Sequence, residues 1–145
     1  VAIKEHPAMV GAVDAKRLLA LCRRYDNLIL LPPSTNNYAV LRRCDAVVSI
    51  NSKSGAEGAL VGKSVIVLGD AFYTNSPIVR TVDRVQDLPV ALAQVLSGAA
   101  AGAAPAVVER YLAAVWGRSY PGELYVTEVG NVARFSQSML AAVAV

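Results

Sequence analysis

Apolar runs alternate with amphipathic stretches along most of the chain, and this alternation gives the first reading of the fold. Val1-Ala2-Ile3 is a short apolar strand. Asp14 is placed to cap a helix running to Tyr25, in which Leu18, Leu19, Leu21 and Cys22 form the apolar stripe. Leu28-Ile29-Leu30-Leu31 follows as a buried strand, stopped by Pro32-Pro33 because proline has no amide hydrogen to give to a ladder. Ser34 and Thr35 are cap candidates for a segment from Asn36 to Cys44, where Tyr38, Val40 and Leu41 recur at near-helical spacing. Asp45 opens a strand to Ile50, a helix is expected from about Gly55 to Val61, and Ser64 to Leu68 reads as a strand closed by Gly69.

This β-α-β-α-β-α-β rhythm predicts an α/β fold, a Rossmann-like parallel sheet flanked by helices on both faces. Residues Asp70 to Leu88 then form a long connection without clear periodicity that carries Phe72, Tyr73, Asn75 and Pro77. Loops of that length in compact domains are usually functional, so Tyr73 is expected at the mouth of a site. A helix is expected from about Pro89 to Leu96, with proline suited to its first turn. The Ala/Gly-rich stretch 97–104 reads as a mobile connector. Helices are expected at Ala106 to Trp116 and Arg134 to Ala142, separated by the irregular Gly117 to Gly130. The expected organisation is a core over residues 1–96, the connector 97–104, and C-terminal helices within 105–145 that complete the domain or pack on a further domain. The apolar tail from Met139 to Val145 is expected to lie against one or the other.

Composition adds two points. At 145 residues the chain has the length of one domain, yet 54% of it is hydrophobic and only 17% charged, so some apolar surface is expected to be covered by something else. Val1-Ala2-Ile3-Lys4 reads as a strand already under way, which leads to the expectation that the chain is a piece of a longer protein. The net charge of +3 is mild and the basic residues are scattered, unlike the patch of a nucleic-acid binder. Cys22 and Cys44 have neither C-x-x-C spacing nor a nearby histidine, so they are expected to be buried thiols in a reducing cytoplasm rather than a metal or redox pair. No membrane span or leader is evident.

The candidate chemistry lies in two places. Asn51-Ser52-Lys53-Ser54-Gly55-Ala56-Glu57 joins an apolar strand directly to a helix, where hydroxyls and backbone N–H groups could cradle a phosphate. Ser52, Ser54 and Gly55 serve equally as helix-capping residues. Lys53 could face an anion or solvent. Glu57 could close a capping box with Ser54 or accept hydrogen bonds from a ribose diol. His6, the only histidine, follows the first strand in Lys4-Glu5-His6-Pro7. The carboxyl ends of neighbouring strands in an open α/β sheet face one crevice, so His6 could share a site with the serine loop and bond or protonate a leaving phosphate, or could be a core or capping residue. No G-x-S-x-G elbow, G-x-G-x-x-G turn or G-x-x-x-x-G-K-[ST] loop occurs, which counts against hydrolase triads, dinucleotide oxidoreductases and P-loop enzymes.

Lys4-Glu5-His6-Pro7, Tyr38-Ala39-Val40-Leu41, the run from Asp45 to Leu60 and the run from Gly62 to Tyr73 together resemble the capsule polysaccharide biosynthesis family, well over residues 1–90 and loosely beyond. Characterised members are similar to bacterial Kdo transferases with two Rossmann-like domains in a GT-B arrangement, and the likeness is to the C-terminal, nucleotide-binding half. The resemblance implies a glycosyltransferase with a CMP-activated donor such as CMP-Kdo and a glycan or glycolipid acceptor. It implies that His6 contacts the CMP phosphate, with Pro7 shaping the turn and Lys4 beside it. Ser52, Lys53 and Ser54 with the Gly55 amide would hold the phosphate, Glu57 would lie near the ribose, and Tyr73 would belong to the donor pocket. No cofactor and no metal is implied. A missing N-terminal domain would carry the catalytic carboxylate, so the piece alone would transfer nothing. The implied location is the cytoplasm, with peripheral association at the inner membrane face left open. Two rivals stand beside this reading: a CDP-glycerol-type glycerophosphotransferase, and a non-catalytic polysaccharide export accessory protein that keeps the fold as a scaffold.

Overall fold

The computed structural model describes residues 1–6, 9–123 and 126–144. β1 (Ala2–Lys4) and β2 (Ile29–Leu31) run parallel, with Ala2 opposite Ile29 and Lys4 opposite Leu31, and α1 (Ala15–Arg24) is the crossover between them. The Asp14 carboxylate accepts from the Lys16 amide at 2.9 Å, so the expected cap is made. α2 (Asn37–Arg43) leads to a second parallel sheet in which β3 (Ala46–Ser49), β4 (Ser64–Val67) and β5 (Arg80–Thr81) lie in that order. α3 (Ser54–Leu60) connects β3 to β4, and α4 (Leu88–Leu96), α5 (Pro105–Trp116) and α6 (Val129–Val143) follow. The fold is Rossmann-like α/β, with parallel strands flanked by helices.

The core is built on the two faces of β4. Val65 and Val67 turn to one side and pack with Ala56 and Ala59 of α3, Tyr73, Ile78 and Val108 of α5. Ile66, between them in a strand of period two, turns to the other side against Val82 and against Ala91 and Val95 of α4. Helices therefore cover both faces of the three-stranded sheet. α3 approaches closely because residue 58 is glycine: a Cβ there would sit 3.0 Å from Val47 Cγ2.

Several boundaries differ from the sequence reading. Among the described residues the strands form two hydrogen-bonded sheets rather than one, because β1 and β2 are each three residues long and pair only with each other. Pro32-Pro33 cuts the second of them short. The cap of α2 is Asn36, whose side chain accepts from the Ala39 amide at 3.0 Å, in place of Ser34 or Thr35. The connection 70–88 contains β5, two residues with no period to read. α6 begins at Val129, ahead of the expected Arg134. Neither thiol is buried: Cys22 and Cys44 are both half-exposed.

The Ala/Gly stretch 97–104 rests on the domain. Ala100 packs against the Ile66 cluster and Ala103 against the Val65 cluster. Ser64 Oγ donates to the Ala100 carbonyl at 3.3 Å, and a Cβ at Gly102 would meet the Lys63 carbonyl at 3.0 Å. The apolar tail does not pack on the domain: Met139, Leu140 and Val143 of α6 are exposed. Exposed apolar residues also crowd the first half, including Ile29 and Leu30 of β2 and Val48 of β3, in keeping with the apolar surplus of the composition. Among the described residues no helix is long and apolar enough to cross a membrane.

Candidate functional site

β3 ends at Ser49, and five residues later, at Ser54, the chain is helical. That turn is held from within. Buried Ser49 accepts the Ser52 amide on its Oγ at 3.2 Å, and the same hydroxyl lies 3.3 Å from the Ser52 carbonyl. The Ser52 carbonyl takes the Gly55 N–H at 3.1 Å. The Ser54 N–H reaches the Ser52 hydroxyl at 3.2 Å, and that hydroxyl donates to Ser54 Oγ, also at 3.2 Å. Two of the amides expected to face an anion are thus engaged by Ser52. What the turn presents outward is its hydroxyls, on exposed Ser52 and half-buried Ser54.

Tyr73 fastens the turn from below. Its hydroxyl donates to the Ser52 carbonyl and lies 3.3 Å from Ser49 Oγ, while the ring is fully buried. The expectation that Tyr73 lines the mouth of the site is therefore overturned. The reason is the tight turn after β4, where Thr74 Oγ1 donates to the Gly69 carbonyl and accepts from the Ala71 amide, each at 2.8 Å. This turn sends residue 73 inward and residue 72 outward. The exposed ring is that of Phe72, 63% exposed and edge-on to Tyr73 with centroids 5.0 Å apart.

The expected capping box is not made, because the cap position is held by Lys53 with no side-chain capping bond. The Glu57 carboxylate instead accepts from Asn37 Nδ2 at 2.5 Å, and its other oxygen lies 3.8 Å from Lys53 Nζ. Lys53 is mostly in solvent, so that ion pair contributes little. Asn37 Nδ2 also donates to Ser54 Oγ at 3.1 Å. Asn37 is the residue that sequence reasoning missed. It is the first residue of α2, beside a second asparagine that caps the helix, and only the packing of α2 on α3 shows its second role.

The structure thus brings Ser52, Lys53, Ser54, Gly55, Glu57 and Tyr73 together with Asn37. Lys4 and His6 belong to the two-stranded sheet, at and just beyond the carboxyl end of β1. Lys4 is half-buried opposite Leu31; His6 is exposed, and its carbonyl accepts the Met9 amide at 2.9 Å. Pro7 lies outside the described residues. Among the described residues no group of three His, Cys, Asp or Glu side chains is placed to hold a metal ion.

Against this geometry, the sequence model of the capsule polysaccharide biosynthesis protein family matches residues 1–104. The chain belongs to that family. No curated protein and no solved structure matches it. The capsule-family span runs from β1 through α4, takes in the serine turn, Asn37 and Tyr73, and stops at the residue before α5. Membership in the capsule polysaccharide biosynthesis family points to a role in capsule synthesis.

Proposed function

We propose that this chain is the donor-binding half of a glycosyltransferase of capsular polysaccharide biosynthesis, and that the donor is Kdo or a related acidic sugar activated by CMP. The observation that carries the reading is the serine turn at the carboxyl end of β3, inside the family-matched span and braced from below by Tyr73. Ser54, which accepts the Ser52 hydroxyl proton, presents its own hydroxyl to a phosphoryl oxygen, and Lys53 adds a mobile positive charge at the rim. Glu57 stands one helical turn further on, where a ribose diol would find an acceptor. Phe72 supplies an exposed ring beside the turn after β4, a surface on which a base or sugar could stack.

In this reading His6 contacts the phosphate from the β1 side and, protonated, offers a proton to the leaving phosphate oxygen. The catalytic carboxylate and the acceptor site, for a glycan or glycolipid, belong to a second domain of the same protein. Calorimetry on the full-length protein with CMP, CDP and UDP tests the proposal. Preference for CMP supports a Kdo-type donor. Preference for CDP would move the reading to a glycerophosphotransferase, and absence of nucleotide binding would move it to a non-catalytic scaffold.

A further inference from the structure

A hydroxyl group has two lone pairs and one proton, so counting its partners shows what it still offers. Ser54 Oγ accepts from Asn37 Nδ2 at 3.1 Å and from the Ser52 hydroxyl at 3.2 Å. Both acceptor positions are occupied. What remains is the Ser54 hydroxyl proton, on a half-buried residue at the first position of α3.

Glu57 fixes this polarity. Asn37 could in principle rotate its amide and present Oδ1 instead of Nδ2 to Ser54. That rotation would set an amide oxygen against the Glu57 carboxylate, two acceptors at 2.5 Å where there is now a hydrogen bond. The carboxylate holds the amide with its nitrogen toward α3, and the amide's second hydrogen then makes Ser54 a donor. The relay runs from Glu57 of α3 to Asn37, the first residue of α2, and back to Ser54 at the start of α3.

We propose that Asn37 is a positioning residue for the ligand phosphate: held by Glu57, it commits the Ser54 hydroxyl to donate outward to a phosphoryl oxygen. The inference rests on the donor-binding reading above and adds to it a residue that touches no ligand. It also gives Glu57 a task that does not require the ribose.

The test is titration of the full-length protein with CMP and with cytidine, which lacks the phosphate. Asn37→Ala is expected to weaken CMP about fivefold and to leave cytidine unchanged. Ser54→Ala is expected to do the same, and the double variant to bind CMP no worse than Ser54→Ala alone, because both act through one hydroxyl. Asn37→Asp, which sets a second carboxylate against Glu57, is expected to lose more than Asn37→Ala. The proposal is overturned if Asn37→Ala keeps full CMP affinity while Ser54→Ala loses it, if the two losses multiply, or if CMP and cytidine weaken together as for a general loss of structure. A wild-type protein that binds CMP no better than cytidine overturns the donor-binding reading itself, and this one with it, so the two failures are told apart by the unmutated protein.

Discussion

The Tyr73 ring occupies the space where residue 55 would carry a side chain. A Cβ on residue 55 would lie 2.6 Å from Tyr73 Cζ and 2.8 Å from Cε2, and closer still to the phenolic oxygen. The ring cannot swing aside cheaply, because it is fully buried and its hydroxyl donates to the Ser52 carbonyl. Gly55→Ala is therefore expected to destabilise the domain by about 1–3 kcal/mol through overpacking. Thermal unfolding measures this, and an unchanged midpoint would show that the ring moves freely. The requirement for glycine at 55 is thus met by the tyrosine beneath it, without appeal to a ligand above.

Tyr73→Phe separates the ring from its hydroxyl. The packing around Ala56, Val65 and Ile78 stays, while the bonds to the Ser52 carbonyl and Ser49 Oγ go. The Ser52 carbonyl keeps the Gly55 N–H, so it is not left bare. The expected cost is about 0.5–1.5 kcal/mol, accompanied by faster amide exchange at Ser52 and Gly55. Tyr73→Ala empties a core position and is expected to cost about 3–5 kcal/mol. If the phenylalanine variant proved as damaging as the alanine one, the hydroxyl rather than the ring would be holding the core.

Much of this arrangement is legible from the sequence, and what is not has a physical reason. The stripe of α1, its Asp14 cap, and the runs that become β3 and β4 carry their period on their face, and two serines with a glycine after an apolar strand mark the turn. Phe72 and Tyr73 are adjacent aromatics, and which one turns inward depends on the Thr74 and Gly69 bonds of the turn, which no periodicity reveals. Asn36 and Asn37 are equally good cap residues, so the one that reaches α3 emerges only when two helices are packed. Gly58 reads as a loss of about 1 kcal/mol of helix propensity, and its benefit, contact with Val47, belongs to tertiary structure.

Cys44 links stability to alkaline pH. Its thiol is pushed up from the ordinary thiol value, first by desolvation at its half-buried position and then by neighbouring Asp45, against opposing effects of Lys63 and a backbone hydrogen bond. Its Sγ sits 3.2 Å from the Leu41 carbonyl, to which the protonated thiol donates. The folded chain holds this proton more tightly than the unfolded chain. The resulting stabilisation is fully present below the unfolded thiol's value and is lost as pH rises through the folded one. Cys44→Ser keeps a donor that does not titrate there. The stability gap between wild type and Cys44→Ser, measured by urea unfolding from about pH 7 to about pH 10, is expected to shift against the wild type as pH rises. A gap that stayed constant would show that the thiol ionises alike in both states.

Asn131 gives a local prediction, because α6 is held by the segment before it. This buried side chain accepts the Glu123 amide and donates to the Glu123 and Val126 carbonyls, each at 2.8 Å. About two helical turns along the same face, Ser138 Oγ donates to the Pro121 carbonyl, and the backbone of Gly122 lies so close to Phe135 that a Cβ there would meet its Cα at 2.9 Å. Asn131→Ala removes three bonds and leaves an amide and two carbonyls to find water, which costs about 1–3 kcal/mol for each group that stays buried. Asn131→Asp keeps the acceptor and loses the two donations, so it is expected to fall between alanine and wild type only if the amide of residue 123 matters more than the carbonyls. Neither of the two apolar clusters on β4 includes a residue of α6. The expected result is therefore faster amide exchange and proteolysis across residues 121–143, with the global unfolding midpoint nearly unmoved. A fall of the global midpoint in step with the local loss would mean that α6 is part of the same cooperative unit as β4 and its helices.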